Sequence, residues 1–161
     1  VATANGRDRR DRSALQAVLS RDQPDVINRV LNLETGSLAV EAALKMMLCR
    51  FYAIDEAAAT PKYEGRTPVF LVMGNDEGGL LANYHGTTIL TQTFREMWPE
   101  FARRLDDAGL MHIQPIRPNR PEDLRAAFEK YERPPYKIAG FFHEIVMMNY
   151  GGRCLSSELL R

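Results

Sequence analysis

Pro68-Val69-Phe70-Leu71-Val72-Met73 is one unbroken apolar run, and it passes directly into Gly74-Asn75-Asp76-Glu77-Gly78-Gly79. A short, continuous apolar segment closed by a glycine-rich turn has the pattern of a strand buried on both faces, as parallel sheets require. Leu110–Ile116 (L-M-H-I-Q-P-I) and Tyr136–Val146 (Y-K-I-A-G-F-F-H-E-I-V) read as two further strands. Helical segments precede them: Pro99–Asp107, and Pro121–Lys130 with acidic residues in its first turn. Strands alternating with helices of this length predict an α/β fold, with a mainly parallel sheet flanked by helices.

Upstream of the first strand, Thr35-Gly36-Ser37 precedes Leu38–Cys49, a run of strong helix formers with apolar residues at helical spacing. Thr35 or Ser37 is the expected N-cap. The pattern predicts a long, largely buried helix reaching about Tyr52. Downstream of the glycine-rich turn, Asn83–Thr88 (N-Y-H-G-T-T) reads as a loop opening a helix over Ile89–Met97. Residues 1–25 read as an N-terminal segment, with Val1–Arg12 a loop and Ala14–Leu19 a short helix stopped by Asp22-Gln23-Pro24. Asp25–Leu33 reads as a strand or a bent approach to the next helix. The second domain is expected over residues 26–161. At its end, Ser156 or Ser157 is placed to cap a helix starting at Glu158. One helical turn is not stable by itself, and the chain begins with Val1 rather than Met, so the expectation is a segment of a longer protein.

Acidic and basic residues number 21 each, for zero net charge. A nucleic-acid binder normally carries a basic excess, so no nucleic-acid partner is expected. No stretch has the run of apolar residues that a membrane-spanning helix needs, and no signal-peptide pattern opens the chain. Cys49 and Cys154 lie far apart with no C-x-x-C pairing, which points to a reduced, cytoplasmic setting. His85, His112 and His143 show no metal-ligand spacing, so no metal site is expected.

Three short motifs have chemical possibilities beside plainer ones. Thr35-Gly36-Ser37 at a helix start offers free amides and a hydroxyl to an anion, though taken alone it reads first as an ordinary N-cap. Tyr84-His85-Gly86 places an aromatic ring and a histidine in a loop, either as the wall of a pocket for a flat heterocycle or as surface. His143-Glu144 ends an apolar strand, where open α/β sheets bind ligands, and where a structural ion pair is the other reading. His112 reads as a core or partly exposed histidine.

Taken in order, these motifs resemble the class III aminotransferases, the pyridoxal-phosphate (PLP) enzymes of the ornithine, GABA and diaminopelargonate type. That family shares a helix start N-S-G-[ST]-E-A-V-E-A-A-L-K, and Glu34-Thr35-Gly36-Ser37-Leu38-Ala39-Val40-Glu41-Ala42-Ala43-Leu44-Lys45 is similar to it. Its Y-H-G-x-T loop is matched by Tyr84-His85-Gly86-Thr87-Thr88. Its strand ending E-P-[IV]-Q, with G-G beyond, is matched by Glu144-Ile145-Val146-Met147 and Gly151-Gly152. The resemblance spans about Val30 to Arg161. It departs at Glu34, where the family has Asn, at Leu38, where Glu is common, and at Ile145 and Met147, where Pro and Gln are usual.

The resemblance implies part of the large domain of a fold-type I PLP enzyme, acting as a homodimer on a small-molecule amino donor and a keto acid acceptor. It implies that Gly36 and Ser37 hold the PLP phosphate, that Tyr84 stacks on the ring with His85 beside it, and that Glu144 sits near the cofactor. The family's ring-nitrogen aspartate and its catalytic lysine have no counterpart in these 161 residues, so this segment is expected to be inactive alone. An aminomutase, racemase or decarboxylase on the same fold is the nearest alternative. A non-catalytic scaffold that kept the fold is another.

Overall fold

The structure is a computed structural model that describes residues 31–160. The readings for Val1–Arg12, Ala14–Leu19 and most of Asp25–Leu33 lie outside them. The chain divides between Leu33 and Glu34, and every element named below belongs to the second unit.

Strand β1, Thr67–Met73, is buried along its whole length. It is the middle strand of a three-stranded sheet of order β2-β1-β3, with β2 at His112–Ile116 and β3 at Tyr136–Phe142. Both pairings are parallel: Val69 lies opposite His112 on one side, and Thr67 opposite Tyr136 on the other. A central parallel strand has neighbours on both edges and helices on both faces, which is why its sequence is apolar without alternation.

The two faces of β1 take different helices. Phe70 and Val72 face helix α1 (Gly36–Leu48), the short α2 (Ile89–Thr93) and α3 (Pro99–Asp107), through Leu44, Phe94 and Leu105. Val69 and Leu71 face α4 (Pro121–Tyr131), through Leu124, Ala127 and Tyr131. The chain therefore leaves β1 for β2 along one face and returns to β3 along the other. That reversal sets a topological switch point between the carboxyl ends of β1 and β3, the place where open α/β sheets form a ligand crevice.

Several expectations need correction. Helix α1 ends at Leu48 rather than near Tyr52, and only Leu44 on it is fully buried. Its inward stripe is Val40, Leu44, Met47 and Leu48; Leu38 and Met46 face solvent, so it is a one-sided surface helix. The helix expected over Ile89–Met97 stops at Thr93, because Glu96 and Trp98 take left-handed backbone angles (φ 60° and 56°) that an α-helix of L-residues does not continue through. The third strand ends at Phe142 rather than Val146. Val146–Met147 instead pairs antiparallel with Arg153–Cys154, as β4 and β5 of a separate two-stranded ribbon.

Gly140 on β3 explains how closely α1 packs. A Cβ there would stand 2.6 Å from Met47 Sδ, so the missing side chain makes the room that Met47 occupies. The ribbon is seated beyond the end of β1 by an apolar cluster of Met73, Ala82, Met147, Leu155 and Leu159. Ser156 caps the final turn, its Oγ accepting from the Leu159 amide at 3.3 Å.

Candidate functional site

The helix start and the Tyr84–Thr88 loop, fifty positions apart in sequence, meet in space. Thr35 caps α1 with its side chain accepting from the Leu38 amide at 3.2 Å. The Gly36 and Ser37 amides precede the first intrahelical donor and point out of the helix end, where the dipole favours negative charge. The Thr87 amide donates to Ser37 Oγ at 3.2 Å, which leaves the serine hydroxyl hydrogen to donate elsewhere. One residue on, Thr88 Oγ1 donates to Glu41 Oε2 at 2.7 Å. Thr88 also caps α2, its side chain accepting from the Thr91 amide. A single threonine thus anchors the loop to α1 and opens the next helix.

His85 turns inward from this loop. It is 8 % exposed and meets Phe94 and Phe142 edge-on, with ring centroids 6.2 Å and 5.8 Å away. Burial among these rings, and secondarily the charge of nearby His143, push its pKa down to about 4. The imidazole is therefore neutral at physiological pH, since desolvation disfavours the charged form. Tyr84, between buried Asn83 and His85, is exposed, with the Arg95 guanidinium 5.3 Å from its ring centre.

Glu144 stands two residues past the end of β3, partly buried, with Oε2 shielded from solvent and unpartnered among the described residues. The structure thus joins Ser37 directly to the loop of Tyr84 and His85, and sets His85 against Phe142, the last residue of β3. Gly36 flanks Ser37 at the open helix end.

Sequence reading missed Asn83. It is wholly buried, and neither Oδ1 nor Nδ2 finds a partner among the described residues. It also missed the clasp beside the site. Asp76 in the glycine-rich turn accepts from Arg153 Nη1 at 2.6 Å and 2.5 Å, and from Tyr150 OH at 2.9 Å. The hydrogen bond from Arg153, then that from Tyr150, holds the Asp76 carboxyl below the usual carboxylate range. Asn119, on the loop after β2, accepts from the Ser156 amide at 2.6 Å and donates to the Cys154 carbonyl at 3.2 Å. The β4–β5 ribbon is in this way tied to the loops that follow β1 and β2.

Among the described residues no group of histidine, cysteine and carboxylate side chains is arranged to hold a metal ion, and no helix is long and apolar enough to cross a membrane. Compared with family models, curated proteins and solved structures, the chain matches none.

Proposed function

We propose that this chain is the phosphate-holding and ring-facing part of a PLP-dependent transaminase of fold type I, resembling class III. One observation carries the reading: the loop bearing Tyr84 and His85 is fastened to the amino end of α1 through Ser37. That union brings the start of α1, with its two leading amides and the Ser37 hydroxyl, against the loop that also carries the exposed ring of Tyr84, a set of groups suited to a phosphate attached to a flat heterocycle. The residues fit such a group in a second respect, because buried polar atoms of Asn83, His85 and Glu144 have no partners among the described residues.

Bound PLP would supply the electron-withdrawing ring through which an amino group passes between an amine and a keto acid. In this chain the amides of Gly36 and Ser37, with the Ser37 hydroxyl, would bind the phosphate. Tyr84 would cover a face of the ring. His85, held neutral by its apolar setting, would pack behind that face without adding charge. Glu144 would stand beside the ring as a hydrogen-bond acceptor. None of Lys45, Lys62, Lys130 or Lys137 has the sequence context of the anchoring lysine, so these residues bind and orient without forming the covalent link.

Equilibrium dialysis of the full chain against PLP and against pyridoxal tests this. PLP should be retained more tightly than pyridoxal. Ser37→Ala and Tyr84→Ala should each weaken PLP retention by about tenfold, the scale of one charge-assisted hydrogen bond or one stacked ring. Retention unchanged in both variants, or equal for PLP and pyridoxal, would overturn the reading.

A further inference from the structure

Two hydrogen bonds join the Tyr84–Thr88 loop to α1, and they run in register. The Thr87 amide donates to Ser37 Oγ at 3.2 Å, and Thr88 Oγ1 donates to Glu41 Oε2 at 2.7 Å. Neighbouring loop residues thus meet residues four apart on the helix, which stand one above the other on one face. A single bond leaves the loop free to swing about it. A second one, a helical turn or about 6 Å further along, fixes its direction as well.

The two bonds differ in strength. The bond to Ser37 joins neutral, exposed groups at the long end of the range for N–H···O. The bond to Glu41 is short, partly buried and has an ionised acceptor, a class about twice as strong as a neutral hydrogen bond. The Glu41 side chain is 14 % exposed, and its other oxygen, Oε1, lies 3.3 Å from Lys45 Nζ, whose side chain is 65 % exposed. Water can stand in for that surface lysine. Loss of the Thr88 hydroxyl instead strips a largely buried carboxylate of a donor, which is costly. A carboxylate only accepts, so the Thr88 hydrogen points to Glu41, and the same oxygen accepts from the Thr91 amide at 3.3 Å to cap α2.

We propose that Glu41 is the positioning residue of this site. Acting through Thr88 and without touching the ligand, it holds the loop so that Tyr84 and the Ser37 hydroxyl are presented together. With the loop fastened at Glu41, the Ser37 oxygen accepts one amide and keeps its hydrogen for a bound anion. This inference deepens the reading above, and it rests on that reading only for the identity of the ligand as PLP.

Two measurements on the full chain test it. Amide exchange at Thr87 reports how firmly the loop sits on Ser37 whatever the ligand, and equilibrium dialysis reports PLP retention. Glu41→Gln keeps the shape and removes the charge. It should speed Thr87 exchange and weaken PLP retention, each about tenfold, while exchange at Phe70 in the central strand changes by less. Lys45→Met, which removes only the surface ion pair, should change neither. Thr88→Val should act at least as strongly as Glu41→Gln, and Thr88→Ser, which keeps the hydroxyl, should behave as the native chain. Thr87 exchange unchanged in both Glu41→Gln and Thr88→Val would overturn the proposal, and so would faster exchange with PLP retention intact. If the native chain retains no PLP, the cofactor reading falls, and Thr87 exchange alone decides for or against Glu41.

Discussion

Gly86 lies directly on Ser37. A Cβ added at Gly86 would stand 2.9 Å from Ser37 Cα and 3.0 Å from both its Cβ and its Oγ, and the Gly86 backbone has φ 139°. Contact and backbone angle both demand glycine here, and the closeness of the loop to the end of α1 depends on it.

Gly86→Ala should therefore push the loop off the helix. Strained backbone and a clash with main-chain atoms together cost about 1–3 kcal/mol, read as a lower midpoint of thermal unfolding. Gly36→Ala is the contrast, since a Cβ there meets nothing within 4 Å. Being inside a helix, that alanine should leave stability unchanged or raise it by up to about 1 kcal/mol.

His85 makes stability pH-dependent in a defined direction. Its folded pKa, about 4, lies below the ordinary histidine value of 6.5. Between those values the unfolded chain binds the proton that the folded chain refuses, so stability falls as pH drops from 6.5 toward 4 and is fully present above 6.5. The loss attributable to His85 is at most about 3 kcal/mol. Urea unfolding at several pH values should show this slope in the native chain, and His85→Phe should flatten it.

Helices α3 and α4 are latched across the amino end of β2. His112 hydrogen-bonds through Nδ1 to Asp106 and through Nε2 to Tyr131 OH, each at 2.8 Å, and Tyr131 OH donates to Gln114 Oε1 at 2.8 Å. Tyr131→Phe keeps the ring and strands two partners of a buried hydroxyl. It should cost about 1–3 kcal/mol in denaturant unfolding, with PLP retention unaffected.

The β4–β5 ribbon depends on the clasp at Asp76. Arg153→Ala removes its charged partner and should speed amide exchange at Met147 and Leu155, whose amides lie in or beside the ribbon. Global unfolding should barely move, because exposed ion pairs add little to overall stability.

The α/β order was legible in the residues themselves. The apolar run Pro68–Met73 could be buried only between two neighbours, and Pro99 and Pro121 open α3 and α4 as proline at a first helical turn should. The helix start and the Tyr84–Thr88 loop were each visible as motifs, because capping residues and glycines act over a few positions. Where β3 ends was not visible. Val146 and Met147 are as apolar as the strand before them, and only Arg153–Cys154, brought alongside by the Gly151–Gly152 turn, withdraws them into another sheet.

Asn83 marks the same division most sharply. Nothing in an asparagine between an alanine and a tyrosine announces a buried carboxamide with no partner among the described residues, since polarity and position both suggest a surface turn. Its burial follows from the packing of Ala82 against the ribbon and His85 against Phe142, contacts that join positions roughly sixty residues apart. Local patterns set which segments become strands and helices and which faces they bury. The pairing of distant segments decided the rest: the switch point between β1 and β3, the seat of Gly86 on Ser37, and the burial of Asn83 and His85.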